Sequence, residues 1–148
     1  MDDALASSGL PAELLDLEIT ESFIIRQPEL SISKLTQLRE RGISLSMDDF
    51  GTGYSSLSYL KRLPINTLKI DQSFVRDIGK DRDDESIVKA IIVMCRSLGI
   101  GVLAEGVETR GQLDFLLNHG CSRIQGYYYS RPLDPDALWQ FVQRHSRK

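Results

Sequence analysis

Five short segments in which apolar and polar residues alternate are separated along this chain by longer segments with the residue spacing of amphipathic helices. The predicted strands are residues 14–20, 43–49, 67–71, 101–107 and 122–129. Repeated strand–helix alternation is typical of βα units that form a parallel sheet, so we expect an α/β fold. Two architectures remain open, a doubly wound open sheet and a barrel. The turn after Thr20 reads Glu-Ser-Phe and lacks the glycines of a phosphate-binding turn, which open sheets often carry after their first strand.

Start and stop signals delimit the helices between these strands. Asp, Thr, Ser or Pro stands at each predicted start, and Gly stands at most predicted ends. The predicted helices run from Pro28 to Gly42, from a cap at Asp83 or Asp84 to Gly99, from Thr109 to Gly120, and, as a shorter helix, from Ser55 or Ser56 to Leu63. The last predicted helix opens at Asp134-Pro135 and includes Leu138, Trp139 and Val142.

The composition is that of an ordinary globular chain. Its 148 residues are 41% hydrophobic and 26% charged, which predicts one domain over residues 1–148 with the motif-bearing part at about 10–142. The net charge is -3, and no basic face is visible, so binding of a nucleic-acid polymer is not expected. The apolar run Ile91–Cys95 is too short to cross a bilayer, and the N-terminal Met-Asp-Asp does not resemble a signal peptide.

The two cysteines point to a reducing compartment. Cys95 lies in an apolar run and Cys121 lies beside Gly120, and the chain contains no Cys-x-x-Cys pair that would suggest a zinc site. Two reduced, buried thiols are typical of a cytoplasmic protein, and we expect that location.

Polar residues occur at the end of every predicted strand, where the apolar alternation would otherwise continue. They are Glu18 on the first strand, Asp48 and Asp49 on the second, Lys69 and Asp71 on the third, Glu105 on the fourth and Gln125 on the fifth. Side chains alternate between the two faces of a strand, so these residues can share one face while the apolar residues pack on helices. The active site of a barrel lies at these strand ends.

Two interpretations of this polar set remain open. Carboxylate and amide oxygens suit Mg²⁺ or Mn²⁺, and two such ions about 3.5–4 Å apart can bind a phosphodiester. The alternative is a structural salt-bridge network around Lys69. The glycine-containing loop that follows Asp49 could close over a substrate, and Glu21 or Glu108 could either anchor that loop or be an ordinary acid at a helix start.

The motifs resemble those of the EAL domain family. They are Leu-Glu-Ile-Thr-Glu-Ser at 17–22, Asp-Asp-Phe-Gly-Thr-Gly-Tyr-Ser-Ser-Leu at 48–57, Leu-Lys-Ile-Asp at 68–71, Ala-Glu-Gly-Val-Glu at 104–108 and Gln-Gly-Tyr at 125–127. The resemblance implies a TIM-type (β/α) barrel, two Mg²⁺ or Mn²⁺ ions, and hydrolysis of cyclic di-GMP to the linear dinucleotide pGpG.

The resemblance also assigns roles to individual residues. It implies that the metal ligands are Glu18, Asp48, Asp49 and Glu105, that Lys69 orients the attacking water, and that Glu105 has also been cast as a general base. It places Gln125, Tyr127, Arg131 and Pro132 at the substrate, makes Glu21 the anchor of the Asp-Phe-Gly loop, and leaves the roles of Asp71 and Glu108 open.

The chain departs from the family pattern at its start. It contains no Glu-Ala-Leu string, and no asparagine precedes Glu18. Five βα units correspond to strands 4–8 of the family barrel, so we expect a partial barrel that lacks the first three strands and two expected metal ligands.

Three functional hypotheses follow from this departure. The first is a cyclic di-GMP phosphodiesterase whose activity is impaired in this chain. The second is a non-catalytic module that binds cyclic di-GMP or a protein, and the third is a scaffold without a ligand.

A five-stranded arc has two open edges, so we also expect self-association, through those edges or through the family's dimer surface.

Overall fold

The structure is a computed structural model that describes residues 2–20, 23–24, 27–50 and 60–145. One parallel sheet forms its centre, with its five strands in the order β1-β2-β3-β4-β5. The strands are β1 (Asp16–Thr20), β2 (Ser44–Phe50), β3 (Thr67–Ile70), β4 (Gly101–Ala104) and β5 (Arg123–Ile124). The prediction of a parallel α/β sheet built from consecutive βα units is therefore confirmed.

Six α-helices accompany the sheet within the described ranges. They are α1 (Asp2–Ser8), α2 (Pro28–Glu40), α3 (Gln72–Arg76), α4 (Arg82–Leu98), α5 (Arg110–Asn118) and α6 (Pro135–His145), and a 3-10 turn occupies Ala12–Leu14. Pro28 begins α2 and Thr109 caps α5, as the sequence predicts. In the structure, Thr109 and Gln112 also form a capping box.

Several predicted boundaries were wrong. The cap of α4 is Asp81, whose carboxylate accepts a hydrogen bond from the Asp83 amide at 2.7 Å, so Asp83 and Asp84 lie inside the first turn. The fourth and fifth strands end at Ala104 and Ile124, because the chain then turns to form loops instead of continuing the alternation. The predicted helix of residues 55–63 lies mostly outside the described residues.

The two faces of the sheet differ as the alternation predicts. One face carries side chains that pack against the helices, and Leu45, Met47, Leu68 and Ile70 are almost completely buried there. Helix α4 covers this face with Val88, Ile91, Ile92 and Cys95, and α5 adds Leu113 and Leu116. Burial of these side chains, at about 1.5–3 kcal/mol each, is the main force that holds the sheet and helices together.

The peripheral parts of the structure are less buried. Helix α6 contains no fully buried residue, and Trp139 remains 64% exposed.

Both cysteines are free and buried, as expected. Within the described ranges, no helix combines the length and the apolar character needed to cross a membrane.

Candidate active site

Lys69 lies at the centre of a cluster of three carboxylates on the polar face of the sheet. Its ammonium nitrogen is 2.8 Å from Oε1 of Glu18, 3.4 Å from Oδ2 of Asp48 and 2.7 Å from Oε1 of Glu105. The lysine itself is only 5% exposed. Four of the predicted strand-end residues therefore do meet, and they come from four different strands or strand ends.

The strand register explains why these side chains converge. Thr20 of β1 pairs with Asp48 of β2, and Met47 pairs with Leu68 of β3, so Asp48 stands beside Lys69. Lys69 pairs with Leu103 of β4, and Glu105 follows Leu103 by two positions on the same face. The pairing of β2 with β3 is irregular between Met47 and Phe50, where the strand carries its two aspartates.

The carboxylates control the charge of the buried lysine. Burial alone would lower the pKa of Lys69, but the hydrogen bonds that its ammonium group donates to Glu105 and Glu18, together with the charges of Glu105 and Asp48, raise it well above its usual value. Lys69 is therefore a permanent cation at neutral pH.

A pocket of about 500 Å³ opens beside this cluster at the carboxyl ends of β4 and β5. Glu105 is common to the cluster and the pocket wall. The other lining residues come from α3, from the loops after β4 and β5, and from α6, and they are Gln72, Gly106, Glu108, Gln125, Gly126, Tyr127, Ser130, Arg131, Pro132, Leu133, Leu138 and Phe141.

Two close backbone approaches shape the pocket wall. A Cβ atom at Gly106, where φ is +68°, would overlap the side chain of Gln72, and one at Gly126 would overlap the backbone of Val107. The loops after β4 and β5 are joined there by hydrogen bonds from the Val107 amide to the Gln125 carbonyl and from the Tyr128 amide to the Val107 carbonyl. Glycine at both positions thus lets the strand-end loops pack closely enough to hold Glu105 beside the pocket.

The substrate residues that the resemblance implies lie in the pocket wall. Gln125, Tyr127, Arg131 and Pro132 all line it, and the Arg131 guanidinium lies over the Tyr127 ring, 4.8 Å from its centroid. Their predicted contacts with substrate stay a prediction. Tyr127 belongs to a turn after β5 and not to the predicted strand.

The remaining predicted residues have varied positions. Asp71 caps α3, because its Oδ1 accepts hydrogen bonds from the amide and hydroxyl of Ser73, so its evident function is structural. Glu108 lines the pocket and is exposed. Glu21, the glycine-containing loop at 51–53 and the side chain of Asp49 lie outside the described residues.

Sequence reasoning missed two residues that shape the site. Gln72 forms pocket wall beneath Gly106, and the nearly buried Gln112 accepts hydrogen bonds from the amides of Glu108 and Thr109, both at 2.9 Å. The capping-box pattern Thr-x-x-Gln at 109–112 is the signal that could have identified Gln112.

The family model of the EAL domain matches residues 1–132. The chain belongs to the EAL domain family. Because the match includes Glu18, Lys69, Glu105 and most of the pocket wall, the site described above is part of the EAL domain.

Individual relatives agree with this assignment. The chain is 49% identical over 142 residues to the cyclic di-GMP phosphodiesterase NbdA of Pseudomonas aeruginosa, a match that covers 96% of this chain and 18% of that protein. The PaMucR phosphodiesterase, solved in complex with c-di-GMP, is 45% identical with a TM-score of 0.89, and the match covers 93% of this chain and 56% of that one. Klebsiella pneumoniae BlrP1, solved with calcium and cy-diGMP, is 38% identical with a TM-score of 0.81, over 88% of this chain and 33% of that one.

The chain corresponds to only part of each of these relatives. It spans about a fifth of the length of NbdA and about half of the solved PaMucR chain. Its fold is an α/β partial TIM-type barrel with five βα units, as predicted.

The donor set of the EAL site suits a hard divalent cation. The carboxylates of Glu18, Asp48 and Glu105 supply the oxygens that Mg²⁺, Mn²⁺ and Ca²⁺ prefer. Among the residues the structure describes, no three Asp, Glu, His or Cys side chains lie close enough together to hold a metal ion. The carboxylates are instead grouped around Lys69. The chemistry of the site therefore fits a metal, while the cation that the carboxylates share in this structure is an ammonium group.

Proposed function

We propose that this chain is the part of an EAL-type cyclic di-GMP phosphodiesterase that carries Lys69 and the carboxylates of strands 4–8 of the family barrel. The reaction is hydrolysis of cyclic di-GMP to pGpG. The observation that carries the proposal is the nearly buried Lys69 among three carboxylates, next to a pocket of about 500 Å³. Glu18 is more than half exposed. Lys69 and the largely buried Asp48 and Glu105, however, are costly to bury together unless a function retains them.

The carboxylates and Lys69 have complementary tasks in this proposal. The residues that would hold two Mg²⁺ or Mn²⁺ ions are Glu18, Asp48, Asp49 and Glu105, and the ions would supply Lewis-acid activation of the phosphodiester and of water. Lys69 is a permanent cation, so it offsets the negative charge of the acids and orients the attacking water by hydrogen bonding.

The pocket wall binds the dinucleotide. The exposed ring of Tyr127 offers a flat surface for a guanine base, and Arg131 adds a guanidinium group beside it. Gln125 supplies amide hydrogen-bonding groups, and Pro132 contributes apolar surface in the same wall. Relatives with this fold were solved as c-di-GMP complexes, with calcium or manganese in BlrP1.

We expect the isolated chain to turn over cyclic di-GMP slowly. The Glu-Ala-Leu string is absent and no asparagine precedes Glu18, so two ligands expected from the family pattern have no counterpart in this sequence. For the same reason, a non-catalytic module that binds cyclic di-GMP is the second candidate.

The decisive experiment measures turnover and binding separately. Hydrolysis is followed by chromatography of cyclic di-GMP and pGpG with Mn²⁺, and binding is measured by calorimetry with Ca²⁺. Binding with slow turnover that disappears in Glu105→Gln supports an impaired enzyme, and binding with no turnover supports the second candidate. Absence of binding up to millimolar ligand would contradict both and favour a scaffold.

We also propose that the chain self-associates and works in the cytoplasm. Within the described residues, β1 pairs only with β2 and β5 pairs only with β4, so each offers an open edge to a second copy. The buried, free thiols fit a reducing compartment. Light scattering across micromolar concentrations tests the association, and a monomer at every concentration would contradict it.

A further inference from the structure

We propose that Lys69 is the built-in counterion of the metal-free site and competes with a divalent cation for the same carboxylate oxygens. The inference rests on the proposed function, because it concerns the carboxylates that would bind the metal. It goes further by predicting that Lys69 opposes metal binding.

Lys69 forms two short hydrogen bonds and one longer ion pair with carboxylates. An ammonium group has three N–H donors, and three carboxylates lie within 3.4 Å of this nitrogen. The two shortest contacts, at 2.8 Å to Glu18 and 2.7 Å to Glu105, have the length of charge-assisted hydrogen bonds.

Burial strengthens the charge interactions between Lys69 and the carboxylates. The Lys69 side chain is 6% exposed, and the side chains of Glu105 and Asp48 are 19% and 24% exposed, so water screens their charges poorly. Without Lys69, the acids would repel one another, which disfavours their close approach in the absence of metal. Lys69 thereby holds the three acids together before any metal arrives.

The same contacts oppose a second cation. An oxygen that accepts a short hydrogen bond from the ammonium group has less of its lone-pair density available to a metal, and the two positive charges repel at short range. Coupling between two binding events is reciprocal. If a bound metal weakens the contacts of Lys69 with the carboxylates, those contacts weaken metal binding by the same free energy.

The test measures Mn²⁺ affinity by calorimetry and thermal unfolding in EDTA for the full chain and for Lys69→Met. We expect Lys69→Met to bind Mn²⁺ at least tenfold more tightly and to melt at lower temperature in EDTA. We also expect Mn²⁺ to raise its melting temperature more than that of the unaltered chain. If Lys69→Met does not fold in EDTA, Lys69→Gln, which keeps one donor for a carboxylate, is measured in its place.

A matched control separates competition from a general effect of charge. Arg123 carries a positive charge on the same face of the sheet, where it donates to the Thr67 hydroxyl at 2.8 Å, two residues before Lys69. Arg123→Gln removes a charge without freeing a carboxylate, so its Mn²⁺ affinity should change less than threefold.

The outcomes distinguish this inference from the proposed function. Equal or weaker Mn²⁺ binding by the Lys69 variants, with binding by the unaltered chain, overturns the competition alone. An equal gain in Arg123→Gln also overturns it, because the effect would then be one of net charge. Failure of every variant to bind millimolar Mn²⁺ overturns the metal-dependent function together with the competition.

Discussion

The ammonium group of Lys69 on β3 lies 2.7 Å from a carboxylate oxygen of Glu105, which follows β4, so the two adjacent strands are joined on their polar face by a nearly buried ion pair. Because Lys69 is almost inaccessible, the loss of one partner leaves a charge that water solvates poorly. This pair therefore stabilises the fold as well as the site.

We predict that Glu105→Gln lowers the free energy of unfolding in EDTA by about 1–3 kcal/mol, because the ion pair becomes a hydrogen bond from the charged ammonium group to a neutral amide oxygen. Urea unfolding followed by circular dichroism measures the change. Glu108→Gln is the matched control, since Glu108 is exposed, and it should change stability by less than about 0.5 kcal/mol. Equal losses in both variants would show that the ion pair adds no stability of its own.

The close approach of Gly126 to Val107 gives a second prediction. Gly126→Ala should lower the free energy of unfolding by about 3 kcal/mol, because the new Cβ would overlap the Val107 backbone and disturb the hydrogen bonds between the two loops. Gly111→Ala, in α5 with open space around the new Cβ, should raise it by up to about 1 kcal/mol. Denaturant titration checks both, and a neutral Gly126→Ala would contradict the observed packing.

The buried thiols give a prediction for the dependence of stability on pH. Burial raises the pKa of Cys95 to about 12 from an ordinary value near 9, so above pH 9 the unfolded chain releases a proton that the folded chain retains. The contribution of Cys95 to stability is complete below pH 9 and is lost between about pH 9 and pH 12.

Between pH 8 and pH 10, this effect should lower the free energy of unfolding by about 1 kcal/mol. Denaturant unfolding at the two pH values, under reducing conditions, measures it. In Cys95→Ala the difference between the two pH values should shrink by that amount, even though the variant is less stable throughout. An unchanged difference would mean that Cys95 ionises with nearly the same pKa in both states.

The fourth prediction tests the substrate wall with two equally exposed tyrosines. Tyr127 and Tyr129 are each 52% exposed, but only Tyr127 lines the pocket. Tyr127→Ala should weaken cyclic di-GMP binding in Ca²⁺ by about tenfold, because base–aromatic stacking contributes about 1–3 kcal/mol. Tyr129→Ala should leave the affinity within about twofold, and calorimetry measures both. An equal effect of the two variants would contradict stacking on Tyr127.

The amino-acid sequence by itself determined the parallel α/β class, the order of the βα units and the family. It did so because a period-two alternation and helix caps such as Thr109 are local signals, and because the motifs around Glu18, Lys69 and Glu105 are specific. It also predicted that these polar residues share one face of the sheet, since alternation along a strand decides the face.

Only the tertiary structure decided which of these residues touch. Strand register and the irregular pairing of β2 with β3 bring Asp48 and Glu105 to Lys69. The structure also ended β5 at Ile124, because the loops after β4 and β5 are held by contacts such as that between Gly126 and Val107. Those contacts join residues distant in sequence, and no local pattern records how closely two backbones will pack.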